Sequence, residues 1–130
     1  MRSLIFALVL SAAFAVVTVD AYGQRAQRIA FKRGAVSATI SGTLNGYGSK
    51  RVYLIRVREG QTIKTKQTSG KPISVWITNP AGENANDMDL SCHNSHNISP
   101  TVSGDYRLEI VECQKADPWK GTFRLLITVR

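Results

Sequence analysis

Ser103-Gly104-Asp105-Tyr106-Arg107-Leu108-Glu109-Ile110-Val111-Glu112-Cys113 joins a turn, an amphipathic strand and one of the chain's two cysteines in a single run. Glycine takes positive φ without a steric cost, and serine and aspartate side chains bond nearby amides, so Ser103-Gly104-Asp105 predicts a turn. Tyr106, Leu108 and Ile110 then alternate with Arg107 and Glu109. That period of two gives one apolar and one charged face, the pattern of a half-buried β-strand.

The same period recurs on both sides of this run. Residues 36–44 set Val36, Ala38, Ile40, Gly42 and Leu44 against Ser37, Thr39, Ser41 and Thr43. Residues 50–58 turn Tyr53, Ile55 and Val57 inward and Arg56 and Arg58 outward, and residues 73–78 alternate Ile73, Val75 and Ile77 with Ser74, Trp76 and Thr78. At the end of the chain Phe123, Leu125, Ile127 and Val129 alternate with Arg124, Leu126 and Thr128. Residues 28–32 give a shorter strand through Ile29 and Phe31, after a frayed polar lead-in. Residues 62–68 are more polar around Ile63 and are predicted at a sheet edge, where Lys64 and Lys66 would discourage pairing with other chains. Arg33-Gly34, Asn45-Gly46-Tyr47-Gly48-Ser49, Glu59-Gly60-Gln61, Ser69-Gly70-Lys71-Pro72 and Asn79-Pro80 punctuate these runs as turns. Residues 81–100 are polar and asparagine-rich, the longest irregular stretch, with a short strand predicted near residues 88–91. About eight short strands without crossover helices predict an all-β domain, antiparallel sheets folded onto each other as a sandwich or jelly roll.

Residues 1–21 have the layout of a secretory signal: Arg2 at the start, an apolar stretch over 4–19, and Val19-Asp20-Ala21 as a cleavage site. Cleavage after Ala21 leaves residues 22–130 as one β-sandwich domain. The apolar run is short for a membrane span and Asp20 closes it, so no span is expected after cleavage. Export to the periplasm or beyond the cell is compatible with disulfides, and the chain offers only Cys92 and Cys113. These positions lie 21 apart, and closing a loop of that size stabilises by roughly 3 kcal/mol in the chain-entropy model.

The formal charge is +8. Removing the signal takes one arginine and one aspartate, so the domain keeps it. Such a balance suits polyanionic surroundings or an acidic partner groove, including envelope polymers and an enzyme cleft lined by carboxylates, with plain solubility as the alternative. No nucleic-acid-binding motif is present.

Other constellations carry less chemistry. Cys92-His93-Asn94-Ser95-His96 offers zinc two imidazoles and a thiol, but the disulfide takes the thiol and no fourth ligand is evident. Glu83, Asp87 and Asp89 lack EF-hand spacing, which leaves a solvated loop. Asn97-Ile98-Ser99 fits the glycosylation pattern. There is no nucleophile elbow, and both histidines fall in one loop, so neither catalysis nor a cofactor nor a metal is expected.

Phe31-Lys32-Arg33-Gly34, the strand ending in Gly46-Tyr47, Gly60-Gln61 after a basic strand, and Ser103-Gly104-Asp105-Tyr106 follow one another across the whole mature chain. In their order and spacing the chain resembles the bacterial periplasmic inhibitors of g-type lysozyme. The resemblance implies a small β-sandwich that performs no chemistry and blocks a lysozyme cleft by inserting loops. Ser103, Gly104 and Tyr106 match an S-G-x-Y pattern shared among several lysozyme inhibitor families, in some of which that loop enters the active site. A turn leading into a strand with an inward tyrosine would produce the same residues. The family also tends to carry arginines before the last strand, where this chain has Gln114-Lys115-Ala116-Asp117-Pro118-Trp119-Lys120. Lysines can meet a carboxylate there but lose bidentate geometry.

An inhibitor of this kind needs rigid loops bearing aromatics and cations, because a lysozyme cleft binds sugar rings and holds an essential carboxylate. Tyr47, Lys115, Trp119 and Lys120 fit that need if the sandwich brings their two loops to one end; Tyr47 could equally be an exposed turn residue and Trp119 a cap over the core edge. A second expectation, of a different class, is an accessory module that binds peptidoglycan or another envelope polyanion through the same aromatics and cations.

Overall fold

The computed structural model describes residues 25–86, 92 and 95–130. The predicted signal and the strand predicted near residues 88–91 lie outside the described residues. Eight strands are present: β1 (Gln27–Arg28), β2 (Ser37–Asn45), β3 (Lys50–Val57), β4 (Ile63–Ser69), β5 (Ile73–Thr78), β6 (Ser95–Ile98), β7 (Gly104–Glu112) and β8 (Lys120–Val129). They form two four-stranded sheets, ordered β1-β3-β7-β5 and β2-β8-β4-β6. The architecture is all-β and sandwich-like, and the run that decides it, β7, lies between β3 and β5 in its sheet.

Alternation explains which side chains meet. Tyr53, Ile55 and Val57 from β3, Tyr106, Leu108 and Ile110 from β7, and Ile73, Val75 and Ile77 from β5 supply one sheet's share of the buried cluster. Leu44, Ile63, Ile98, Phe123, Leu125 and Ile127 supply the other's. Each fully buried side chain of this kind contributes about 1.5–3 kcal/mol over an exposed one. The faces with Arg56, Arg107, Lys64 and Arg124 are left to solvent.

Three features depart from the sequence expectations. First, β4 is not an edge strand: it pairs with β8 on one side and with β6 on the other. Its Ile63 and Thr65 are buried, so its lysines mark a solvent face and not a solvent edge. A bulge between Gln67 and Ser69 ends the regular pairing, and the Gln67 amide donates to the Ser69 and Lys71 carbonyls at 3.0 and 2.8 Å. Second, a strand emerges at Ser95–Ile98, inside the stretch expected to be irregular. Third, β1 is only two residues long and runs parallel to β3, so that sheet is mixed.

A side-chain clamp offsets the shortness of β1. Arg28 reaches across β3 to Asp105 on β7, donating from both terminal nitrogens at 2.8 and 2.9 Å. These bonds hold the Asp105 carboxyl below its ordinary range and raise the guanidinium. A depressed folded pKa stabilises the protein above the unfolded value, near pH ~3.9, and that contribution is lost as pH falls through the lower folded value. Asp105→Asn is therefore expected to flatten the acid limb of the stability curve below about pH 4, which urea unfolding at stepped pH would measure. An Asp105 carbon-13 titration midpoint at or above the ordinary aspartate value would show that the clamp does not form in solution.

Candidate functional site

Two loops meet at the end of the sandwich where β7 finishes. The first is the 45–49 turn between β2 and β3, in which the Ser49 amide donates to the Gly46 carbonyl at 3.0 Å. The second is the 113–119 connection into β8. The Gly46 amide donates to the Trp119 carbonyl at 2.9 Å, and Asn45 is the register partner of Lys120. The Tyr47 hydroxyl donates to the Ala116 carbonyl. Tyr47 nevertheless keeps 43% of its surface exposed. The bond thus fixes the ring's direction while much of the residue stays open to solvent.

The second loop is held at both ends. The Cys113 amide donates to the Pro72 carbonyl at 3.0 Å, and the Ala116 amide to the Cys113 carbonyl at 3.2 Å. Trp119 is 7% exposed and belongs to the core cluster. Its amide donates to Glu112 Oε1 at 2.6 Å and its indole nitrogen to the Pro72 carbonyl at 3.3 Å. The indole is therefore a support beneath the loop, with little surface to offer a partner. Lys115 and Lys120 are exposed on either side of it, and Asp117 is exposed between them.

Glu112 and Pro72 have structural roles here that the sequence patterns did not single out. Glu112 continues the inward phase of Tyr106, Leu108 and Ile110, and a carboxylate in that phase was the available signal. It is 1% exposed, and its Oε2 has no hydrogen-bond partner. A shallow cavity of about 410 Å³ beside it is lined by Trp76, Val111, Gln114, Lys115 and Cys92. Cys92 is disulfide-bonded to Cys113 with a Cα–Cα distance of 5.7 Å, as the pairing of the two cysteines predicts.

Ser103 and Tyr106 lie elsewhere. Lys50 pairs with Val111 and Val57 with Gly104, so the turn at Ser103 and the turn at Tyr47 sit at opposite ends of β3 and β7. At ~3.4 Å per residue the length of β7 separates them by about 27 Å. Tyr106 is 3% exposed, and its hydroxyl accepts a hydrogen bond from the Val102 amide at 3.0 Å. Gly104 has φ +135, and a Cβ there would sit 2.8 Å from Pro80 Cγ. Tyr106 and Gly104 thus build a corner, and only Ser103 is exposed. Among the described residues no group of His, Cys, Asp and Glu is arranged to hold a metal ion, and no helix is long and apolar enough to cross a membrane.

Solved structures share this architecture. A periplasmic inhibitor of g-type lysozyme from Aeromonas hydrophila matches with a TM-score of 0.65 and 16% identity, over 81% of this chain and 96% of that one. The corresponding Salmonella Typhimurium inhibitor matches at 0.58 and 20%, over 79% and 96%. The chain has the fold of these inhibitors. Both are inhibitor proteins and not enzymes. A pre-peptidase C-terminal domain of a Bacillus anthracis collagenase matches at 0.50 and 18%, over 82% and 96%. No family model matches the chain, and no curated protein matches it by sequence.

Proposed function

We propose that this protein is an exported inhibitor, periplasmic or secreted, that blocks a g-type lysozyme by inserting the 45–49 and 113–119 loops into its active-site cleft. The observation that carries this reading is the double tie between the loops, Gly46 to the Trp119 carbonyl and Tyr47 to the Ala116 carbonyl. It makes one preorganised projection from two turns, and a projection that is ordered before binding loses less entropy when it docks. Tyr47 offers an aromatic face to a groove built for sugar rings, and Lys115 and Lys120 offer point charges to the cleft carboxylate. Ser103 lies about 27 Å away along β7, so the reading rests on the two loops at the Tyr47 end. With a formal charge of +8, long-range attraction to a cationic lysozyme is absent, and affinity must come from local pairing.

Inhibition assays against g-type, c-type and i-type enzymes test the reading. Tyr47→Ala and Lys120→Ala are each expected to weaken inhibition by about tenfold, roughly 1.4 kcal/mol, with the melting temperature unchanged for Lys120→Ala and lowered only by the lost tie to Ala116, about 0.5–1.5 kcal/mol, for Tyr47→Ala. Tyr47→Phe separates the ring from the tie to Ala116: an intermediate loss would assign part of the effect to loop positioning. Inhibition by the alanine variants equal to that of the parent would place the contact surface elsewhere.

The second reading is an accessory module that binds peptidoglycan or another envelope polyanion. It is supported by the formal charge of +8. Retention on purified peptidoglycan without inhibition of any of the lysozymes would favour it.

A further inference from the structure

The end of the sandwich opposite Tyr47 carries a groove of about 530 Å³, within the usual range of small-molecule sites, roughly 300–1,000 Å³. Phe31, Ala35, Val36, Val57 and Val129 supply its apolar lining, Arg56 and Arg58 its charge, and Gln61 and Ser103 complete it. Both walls are built in advance of any ligand. The Ala35 amide closes a turn onto the Lys32 carbonyl at 2.8 Å, and the Val129 amide ties the Val36 carbonyl at 2.8 Å. On the other side, buried Thr101 donates its hydroxyl to the Arg58 carbonyl at 2.7 Å and accepts from the Gln61 amide at 3.0 Å. The Thr101 amide and carbonyl bond Gln61 and Gly60, at 2.9 Å each.

The groove is apolar and cationic at once. Val36 is 47% exposed and neighbouring Val102 50%. Neither Arg56 nor Arg58 is ion-paired among the described residues, and no carboxylate lines the groove. Asp105 is the register partner of Arg56 and interacts with it electrostatically, but both of its oxygens are bonded by Arg28. Lys32 and Arg33 add charge from the adjoining turn, against exposed Glu59.

We propose that this groove binds an acidic saccharide, a sugar ring bearing a carboxylate. Arginine pairs bidentately with a carboxylate, Phe31 and Val36 suit the apolar face of a pyranose, and Ser103 and the side-chain nitrogen of Gln61, whose oxygen already accepts from the Arg58 amide at 2.7 Å, supply partners for its hydroxyls. An acyl chain fits less well, because Arg56, Arg58, Gln61 and Ser103 make much of the lining polar. The proposal does not depend on lysozyme inhibition, since the two surfaces lie at opposite poles. Together they would let the protein hold an envelope glycan at one end and a protein at the other.

The test uses the full mature chain with defined probes, followed by amide chemical shifts and calorimetry. The probes are the N-acetylglucosamine–N-acetylmuramic acid disaccharide with its lactyl carboxylate free, the methyl ester of that disaccharide, digalacturonate, chitobiose, and phosphatidylglycerol vesicles. Binding of either acidic saccharide with shifts at Ala35, Val36 and Ser103 is expected, and the one preferred identifies the source of the glycan. The methyl ester and chitobiose should bind at least about tenfold more weakly, and Arg56→Gln with Arg58→Gln should cost about tenfold or more at an unchanged melting temperature. Tyr47→Ala should leave this binding within about twofold of the parent. Equal affinity for ester and acid, binding untouched by the double arginine variant, or binding to the vesicles without binding to any saccharide would each overturn the proposal.

Discussion

Phe123→Ala is expected to lower stability by about 3–5 kcal/mol, the range for emptying a buried aromatic site in a core that relaxes only in part. Phe123 is fully buried in β8, and its cross-strand partner in β2 is Gly42. A Cβ at Gly42 would lie 2.7 Å from both Phe123 Cε1 and Cζ and 3.0 Å from the Tyr53 hydroxyl. The ring occupies the space that any other residue at position 42 would fill. Gly42→Ala is therefore expected to destabilise the parent but to cost less in the Phe123→Ala background, with a coupling of about 0.5–3 kcal/mol. Urea unfolding of the four proteins measures it. Strict additivity would mean that the ring does not rest on Gly42.

That pair also shows why most of the sheet was legible. Alternation identifies which residues of a strand share a face, and in residues 36–44 it put Gly42 on the apolar face before any partner strand was known. What alternation does not carry is the identity of the neighbour. The polar residues Lys64 and Lys66 suggested an edge, yet β6 pairs there, because a ladder needs backbone amides and not apolar side chains. Ser95–Ile98 is illegible for a related reason: one isoleucine among Ser95, His96 and Asn97 gives no period. The parallel pairing of β1 rests on two register partners and a distant arginine clamp, neither of which a local pattern can contain.

At the candidate site the turn residues were legible and the support beneath them was not. Asn45-Gly46-Tyr47-Gly48-Ser49 announces an aromatic at a turn, and the structure exposes it. Trp119 carries no such signal, since an indole in a loop can project or cap. What decides it is the placement of two acceptors, the Pro72 carbonyl and Glu112, which come from different parts of the chain. Ser103 and Tyr106 carried the opposite risk. They form a recognisable pattern, but Tyr106 spends its hydroxyl on the Val102 amide, and the exposed part of the pattern borders the basic groove at the far pole.

Replacing Cys92 and Cys113 together by alanine is expected to cost roughly 3 kcal/mol, because the unfolded chain regains the freedom of the closed loop. The effect on the Tyr47 end should be much smaller. Cys113 is 3% exposed, and its amide is held by the Pro72 carbonyl independently of its sulfur. Beyond it the 113–119 loop is tied at Ala116 by Tyr47, at the Trp119 amide by Glu112 and at the Trp119 carbonyl by Gly46. None of these bonds passes through the disulfide. Inhibition measured well below the melting transition is thus expected to change by less than about threefold, under ~0.7 kcal/mol, while the urea midpoint falls sharply. A loss of inhibition in proportion to the loss of stability would show that the loop is ordered by the cross-link and not by its hydrogen bonds. In that case the rigid two-loop projection would exist only in an oxidising compartment, and the redox state of the envelope would itself set the proposed inhibition.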